Sequence, residues 1–298
     1  MNITIAGGTG FLGQVLEQYF EQKGHVIHIL TRTPKSPNHI HWNGKDLGNW
    51  TKILDTTDVL INLTGKSVDC RYTQKNKDLI LNSRIDATHA LGLAINLCDN
   101  PPKLWMNSST GTIYEHSLEI GMTEARGRIG NDFSMNVAKS WEQAFQSITT
   151  PKTRKICLRT AIVLGKKGGA LIPLKMLSKY GLGGYQGEGK QQISWIHELD
   201  FARALDFLIN SELQGVFNLA TPSPSANKQF MKQLRQCLGV PIGIHQPRWL
   251  IHLGALLINT SPELVLKSRY VVPERLLNEG FTFKYEELGL ALDQLLRT

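Results

Sequence analysis

Cysteine is scarce in this chain, with four thiols, Cys70, Cys98, Cys157 and Cys237, among 298 residues. None forms a CxxC pair and none stands at zinc-site spacing, which argues against a disulfide framework and predicts reduced thiols in a cytoplasmic compartment. Long apolar runs are missing as well. The best candidate, around Leu250 to Ile258, is interrupted by His252 and Gly254 and falls short of the roughly 18 residues that a membrane span needs. No membrane association is expected. A strand-like segment opens at the second residue, so a secretory leader is not expected either. There is no G-x-S-x-G elbow, internal repeat or low-complexity tract.

Acidic residues are outnumbered, 25 Asp and Glu against 33 Lys and Arg, for a net charge of +8. The excess is scattered: the densest stretches, Lys152 to Lys155 and Lys166-Lys167, are shorter than the like-charge blocks that make interaction tails. Trp42, Trp50, Trp105, Trp141, Trp195 and Trp249 are dispersed as packing groups rather than set out as a stacking platform. Nucleic-acid binding is therefore not expected. His25, His28, His39 and His41 cluster without a carboxylate or thiol at matching spacing, and no metal site is expected.

Glycine is abundant, with 27 residues, and an apolar share of 41% supports a folded chain. Asn2 to Ala6 reads as a buried strand that runs into Gly7-Gly8-Thr9-Gly10-Phe11-Leu12-Gly13. A helical pattern follows through Val15, Leu16, Tyr19 and Phe20 and stops near Lys23-Gly24, and Val26 to Leu30 reads as the next strand. Strand, glycine turn, helix and strand in this order form the context of a dinucleotide fingerprint. The glycines allow a tight turn and close approach to a pyrophosphate, whose charge is stabilised by free amides at the helix start. At the end of the second strand stands Thr31-Arg32-Thr33, with no carboxylate before Asp46. A guanidinium suits a 2′-phosphate, so NADP(H) is favoured over NAD(H).

Further along, Asp58 to Leu63, Lys103 to Asn107, Lys155 to Ile162 and Val216 to Leu219 read as strands. Helical segments lie near Asn76 to Leu97, Asp132 to Phe145 and Asp200 to Ile209, and the alternation predicts an α/β Rossmann-type, doubly wound parallel sheet. Right-handed crossovers bring the strand ends to one edge, where Gly7 to Gly13, Leu63, Thr64, Ser109, Thr110 and Val163 should meet. The predicted organisation is an NADP-binding core over 1–165, a glycine-rich substrate loop over 166–192, a return to the core over 193–220 and a smaller C-terminal capping lobe over 221–298. A helix with Phe230, Leu234 and Leu238 on one face opens that lobe.

Seven strings narrow the reading: Asn62-Leu63-Thr64-Gly65, Ser83-Arg84-Ile85, Leu158 to Gly165, Gly181-Leu182-Gly183-Gly184, Ser194-Trp195-Ile196-His197, Gly215 to Ala220 and Val272 to Phe281. Together with the G-x-x-G-x-x-G turn, they resemble, in order, the extended short-chain dehydrogenase/reductases of the epimerase family related to human family 39U. The resemblance spans nearly the whole chain, including that family's C-terminal segment of unassigned function. It implies NADP(H) binding and a small-molecule substrate of unknown identity, in a monomer or homodimer. It also implies cofactor contacts from Thr31 and Arg32 at the 2′-phosphate, from the Leu63, Thr64 and Gly65 loop, and from Arg84 and Val163. Tyr114, Gly184, Trp195 and His197 fall on the substrate side.

Extended reductases pair a Ser or Thr after the fifth strand with Tyr-x-x-x-Lys on the next helix, where the tyrosine moves the proton and the lysine lowers its pKa. Here the helix reads Ser134-Met135-Asn136-Val137-Ala138-Lys139-Ser140-Trp141-Glu142, with no tyrosine. If Lys139 is the motif lysine, Met135 replaces the phenol; if Trp141-Glu142 anchors the register, the pair becomes Ser134 and Ala138. Ser109, Thr110 and Lys139 are the catalytic candidates, with Tyr114 and His197 as further proton-bearing types nearby. Proton delivery from substrate or water, or a non-catalytic NADP(H)-binding regulator or redox sensor, stays open.

Overall fold

The computed structural model describes residues 1–257 and 261–297; Ile258, the end of the apolar stretch noted above, lies outside the described residues. Asn2–Ala6 forms β1, Phe11–Gln22 forms α1, and Gly24 ends that helix at φ 78°, the left-handed cap its position predicts. Val26–Thr31 (β2), His39–His41 (β3), Val59–Asn62 (β4), Leu104–Thr110 (β5) and Arg154–Thr160 (β6) alternate with Gln74–Leu97 (α2) and Phe133–Ser147 (α3). Ile162–Leu164 (β7), Leu171–Lys179 (α4), Gln192–Ile193 (β8), Trp195–His197 (β9), Glu198–Ile209 (α5) and Gly215–Leu219 (β10) follow. The C-terminal region holds Ser225–Ala226 (β11), Asn227–Cys237 (α6), Arg248–Leu257 (α7), Glu263–Leu266 (α8), Glu274–Asn278 (α9) and Leu288–Leu296 (α10).

Seven strands form one parallel sheet in the order β10-β6-β5-β4-β1-β2-β3. The order reverses between β1 and β4, whose register runs from Ile3 opposite Val59 to Ala6 opposite Asn62. A crevice at the strand ends is expected there. On one face Ile3, Ile5, Ile29, Ile61 and Phe217 bury against Leu16 and Phe20 of α1 and Phe201 and Leu205 of α5. On the other, Leu30, Leu60 and Trp105 pack against Ala87, Leu91 and Phe145 of α2 and α3. Being covered on both faces explains the near-continuous apolar runs of these strands.

Two boundaries differ from the sequence reading. Ser108, Ser109 and Thr110 belong to β5 itself, paired with Leu158, Arg159 and Thr160. The expected single strand over 155–162 breaks at Ala161, after which β7 leaves the sheet and pairs with β9. The Ala161 amide bonds to Leu219 and the Ile162 amide to Ser194, so the hydrogen-bond partner itself changes at that step.

The C-terminal region is divided between two cores. Phe230, Met231 and Leu234 of α6 meet Leu288, Leu292 and Leu295 of α10 over Trp195 and Leu164, whereas Leu276 and Phe281 join the main core beneath the sheet. Among the described residues no helix is long and apolar enough to cross a membrane.

Candidate functional site

A cavity of about 470 Å³ opens at the reversal point of the sheet. One end is the glycine turn. Gly7 has φ 73°, and a Cβ there would lie 2.9 Å from Thr64 Cα; a Cβ on Gly13 would lie 2.0 Å from the Gly8 carbonyl; a Cβ on Gly10 would meet nothing. Two glycines thus seat the turn against the fold, and the third keeps its cavity side open. Helix α1 has no side-chain cap and no acidic residue in its first turn, so its first amides are available to an anion. Among the described residues the buried Thr64 hydroxyl has no hydrogen-bond partner. These residues fit a dinucleotide pyrophosphate.

Along the wall stand Phe11, Leu12, Leu63 and Arg84. Arg84 donates from Nη1 to the carbonyls of Lys66 (3.0 Å) and Ile80 (2.8 Å) and lies 5.1 Å over the Trp141 ring. Burial pulls its pKa down to about 10. Such a desolvated cation gains from an anionic ligand. Arg32 is exposed at the end of β2 and has no ion-pair partner among the described residues, while the neighbouring Thr31 hydroxyl accepts from the Thr33 amide.

The other end is lined by Ser108, Ser109, Thr110, Ser134, Val137, Trp141 and Thr160. Ser134, Val137 and Trp141 recur at helical spacing on α3, so one face of that helix closes the cavity. Met135 turns away, its sulfur beside Gly130 and accepting from the Asp132 amide, and Lys139 donates to Asn131 Oδ1 at 3.0 Å. Ser134 therefore lines the cavity and Met135 does not, while Ala138 lies in the core.

Below Ser109 lies a polar network that the sequence reading missed. Ser109 donates to Glu142 Oε1 at 2.6 Å, and Arg159 grips both Glu142 oxygens at 2.8 and 2.7 Å. Arg159 also donates to the Tyr114 hydroxyl at 2.9 Å, which donates to Asn218 Oδ1 at 2.9 Å. Burial opposes the Arg159 charge, but the Glu142 carboxylate outweighs it and holds the guanidinium protonated. Glu142 follows Trp141 by one residue and was visible only as part of that string.

The remaining expected residues are not brought to the cavity lining. Tyr114 is spent in the network just described, and burial pushes its phenol pKa up. Trp195 is fully buried under α6 and α10. His197 caps α5 by accepting from the Leu199 amide, bonds Gln294 at 2.8 Å and stacks on Tyr285. A Cβ on Gly184 would lie 2.2 Å from the Ile244 carbonyl, so that glycine serves backbone packing. Val163 is buried in the main core and Gly65 lies against the Arg84 guanidinium. Thr9 is exposed in the turn, its carbonyl accepting from Gln14. No group of three potential metal ligands occurs among the described residues.

Residues 3–220 match the NAD dependent epimerase/dehydratase family, and residues 246–295 match a domain of unknown function, DUF1731. Epimerase family protein YfhF of Bacillus subtilis is 34% identical, covering 99% of this chain and 98% of its own. Epimerase family protein SA0724 of Staphylococcus aureus is 32% identical, with 98% of each chain covered. The crystal structure of human epimerase family protein SDR39U1 (isoform 2) with NADPH superposes with a TM-score of 0.88 at 29% identity, covering 99% of both chains.

Proposed function

The chain belongs to the NAD dependent epimerase/dehydratase family, and on that premise we propose that it is an extended reductase that binds NADP(H) and acts on a small carbonyl or hydroxyl compound. One observation carries the reading: a single cavity runs from the free amides of α1 to the hydroxyls of Ser109 and Thr110 at the end of β5. The NADPH bound by the human relative supports the same choice of cofactor. Reduced nicotinamide supplies hydride when bound. For this chain, α1 would hold the pyrophosphate, Arg32 the 2′-phosphate, and Thr110 and Ser134 would face the reacting end. Because Ser109 already gives its proton to Glu142, it meets a ligand as an acceptor.

Fluorescence titration should show NADPH binding more tightly than NADH. Arg32→Ala should weaken NADPH roughly ten- to hundredfold, the value of a charge-assisted hydrogen bond, and leave NADH unchanged. Equal affinities in the wild type, or none, would sink the cofactor assignment. The absence of a phenol on α3 favours a second reading, a non-catalytic NADP(H)-binding regulator. Sustained NADPH turnover that is lost in Thr110→Val protein would rule it out.

A further inference from the structure

Tyr72 lines the cavity on the segment between β4 and α2, its ring edge-on to Phe133 at 5.0 Å. Its hydroxyl is buried and makes no hydrogen bond of ordinary geometry among the described residues. Buried hydroxyls are rarely left this way, and one carried by a side chain that lines a cavity can meet a ligand there. The Ser134 hydroxyl and the Glu263 carboxylate stand beside it. Ser134 donates to Glu263 Oε1, and Glu263 in turn pairs with Lys267 at 2.7 Å. Glu263 belongs to α8, so the C-terminal region of unknown function reaches the reacting end of the cavity. Arg84 and Arg269 both interact electrostatically with the phenol, an attraction that burial outweighs at Tyr72.

We propose that Tyr72 is the proton donor for carbonyl reduction in this cavity, and that Ser134, held by the Glu263 carboxylate, passes a proton from solvent back to it; the proposal rests on the NADP(H) reading above. In the step, the carbonyl carbon gains the hydride of the reduced nicotinamide as its π bond to oxygen breaks. The oxygen takes the Tyr72 proton, which leaves phenolate and oxidised nicotinamide. The phenolate then takes the Ser134 proton while Ser134 takes one from a hydronium ion of the solvent, which becomes water; the Glu263 carboxylate, paired with Lys267, orients the Ser134 hydroxyl. Burial, aided by the nearby Glu263 carboxylate, pushes the Tyr72 pKa up to about 12, so the phenol is in its acid form at neutral pH.

Fluorine NMR of protein labelled with fluorotyrosine tests the placement, the Tyr72 resonance being the one lost in Tyr72→Phe. NADP⁺ should move that resonance, and 2′-phospho-ADP-ribose, which lacks the nicotinamide, should leave it in place. Movement by neither ligand, or by both alike, overturns the proposal; a wild-type protein that fails to bind NADPH at all overturns the cofactor reading instead. With phenanthrenequinone and a panel of aldehydes as probes, Tyr72→Phe should lower kcat by about 10²–10⁴-fold at unchanged NADPH affinity. A loss within about threefold overturns proton donation, as does a wild-type protein that binds NADPH and reduces no probe. Glu263→Gln should shift the same resonance and lower kcat without changing NADPH affinity; no shift removes Glu263 from the positioning of Ser134.

Discussion

Glu142 and Arg159 are the residues on which the floor of the cavity rests. Their side chains are only 6% and 10% exposed, so each charge depends on the other for its lost hydration. Glu142 also fixes Ser109, and Arg159 fixes Tyr114, which ties β5, β6, α3 and β10 together through one chain of hydrogen bonds. Glu142→Gln preserves the shape but leaves the guanidinium without a counter-charge. Removing one partner of a buried pair costs about 3–5 kcal/mol, and the amide's remaining hydrogen bonds place this variant at the lower end. Urea denaturation should show an earlier midpoint at an unchanged slope. A loss below about 1 kcal/mol would mean that water, rather than Glu142, offsets the Arg159 charge.

Helix α5 shows how an element can draw on a residue that looks catalytic. His197 closes its N-terminus through a neutral ring nitrogen that accepts from the Leu199 amide, which puts the ring proton on Nε2 toward Gln294. Burial lowers the His197 pKa below 6.5, with Gln294 and Asp200 acting against that shift and Lys284 with it. Because the folded-state value is depressed, the stability linked to the neutral ring is fully present above the unfolded value and is lost as pH falls from there through the folded value. Wild type should therefore lose more stability than His197→Asn between about pH 7 and pH 5. Equal slopes in thermal melts at the two pH values would refute the neutral cap. The same residue marks what could be read from sequence. The glycine turn and the strand ends were legible because their signals are local: glycine spacing, apolar runs and the strand-turn-helix order. Side-chain direction at a strand end is not local. Tyr114 is drawn to Arg159, 45 residues away, and Glu263 reaches Ser134 across 129 residues. Tyr72 lies in a stretch without periodicity that nothing nearby in sequence marked.

On the scale of the molecule, the sequence order of core and tail is not the order of packing. Asp200, fully buried at the start of α5, accepts from the amides of Lys284 and Tyr285 as well as from Arg203. Arg275 lies 3.9 Å over Phe217 and donates to the Val216 carbonyl on β10. The region that matches a domain of unknown function thus completes hydrogen bonds and cores that begin within the first 220 residues. Leu276, Phe281, Leu288, Leu292 and Leu295 are each no more than 6% exposed. At about 1.5–3 kcal/mol for each buried side chain, their removal forfeits roughly 8–15 kcal/mol, as much as the whole stability of an ordinary domain. A chain ending at residue 245 should therefore lack a cooperative thermal transition by circular dichroism and should bind ANS. It should also fail to bind NADPH, although every residue of the glycine turn is retained. A sharp melt within about 5 °C of that of the full chain would show instead that the sheet and its first helices fold as an independent unit.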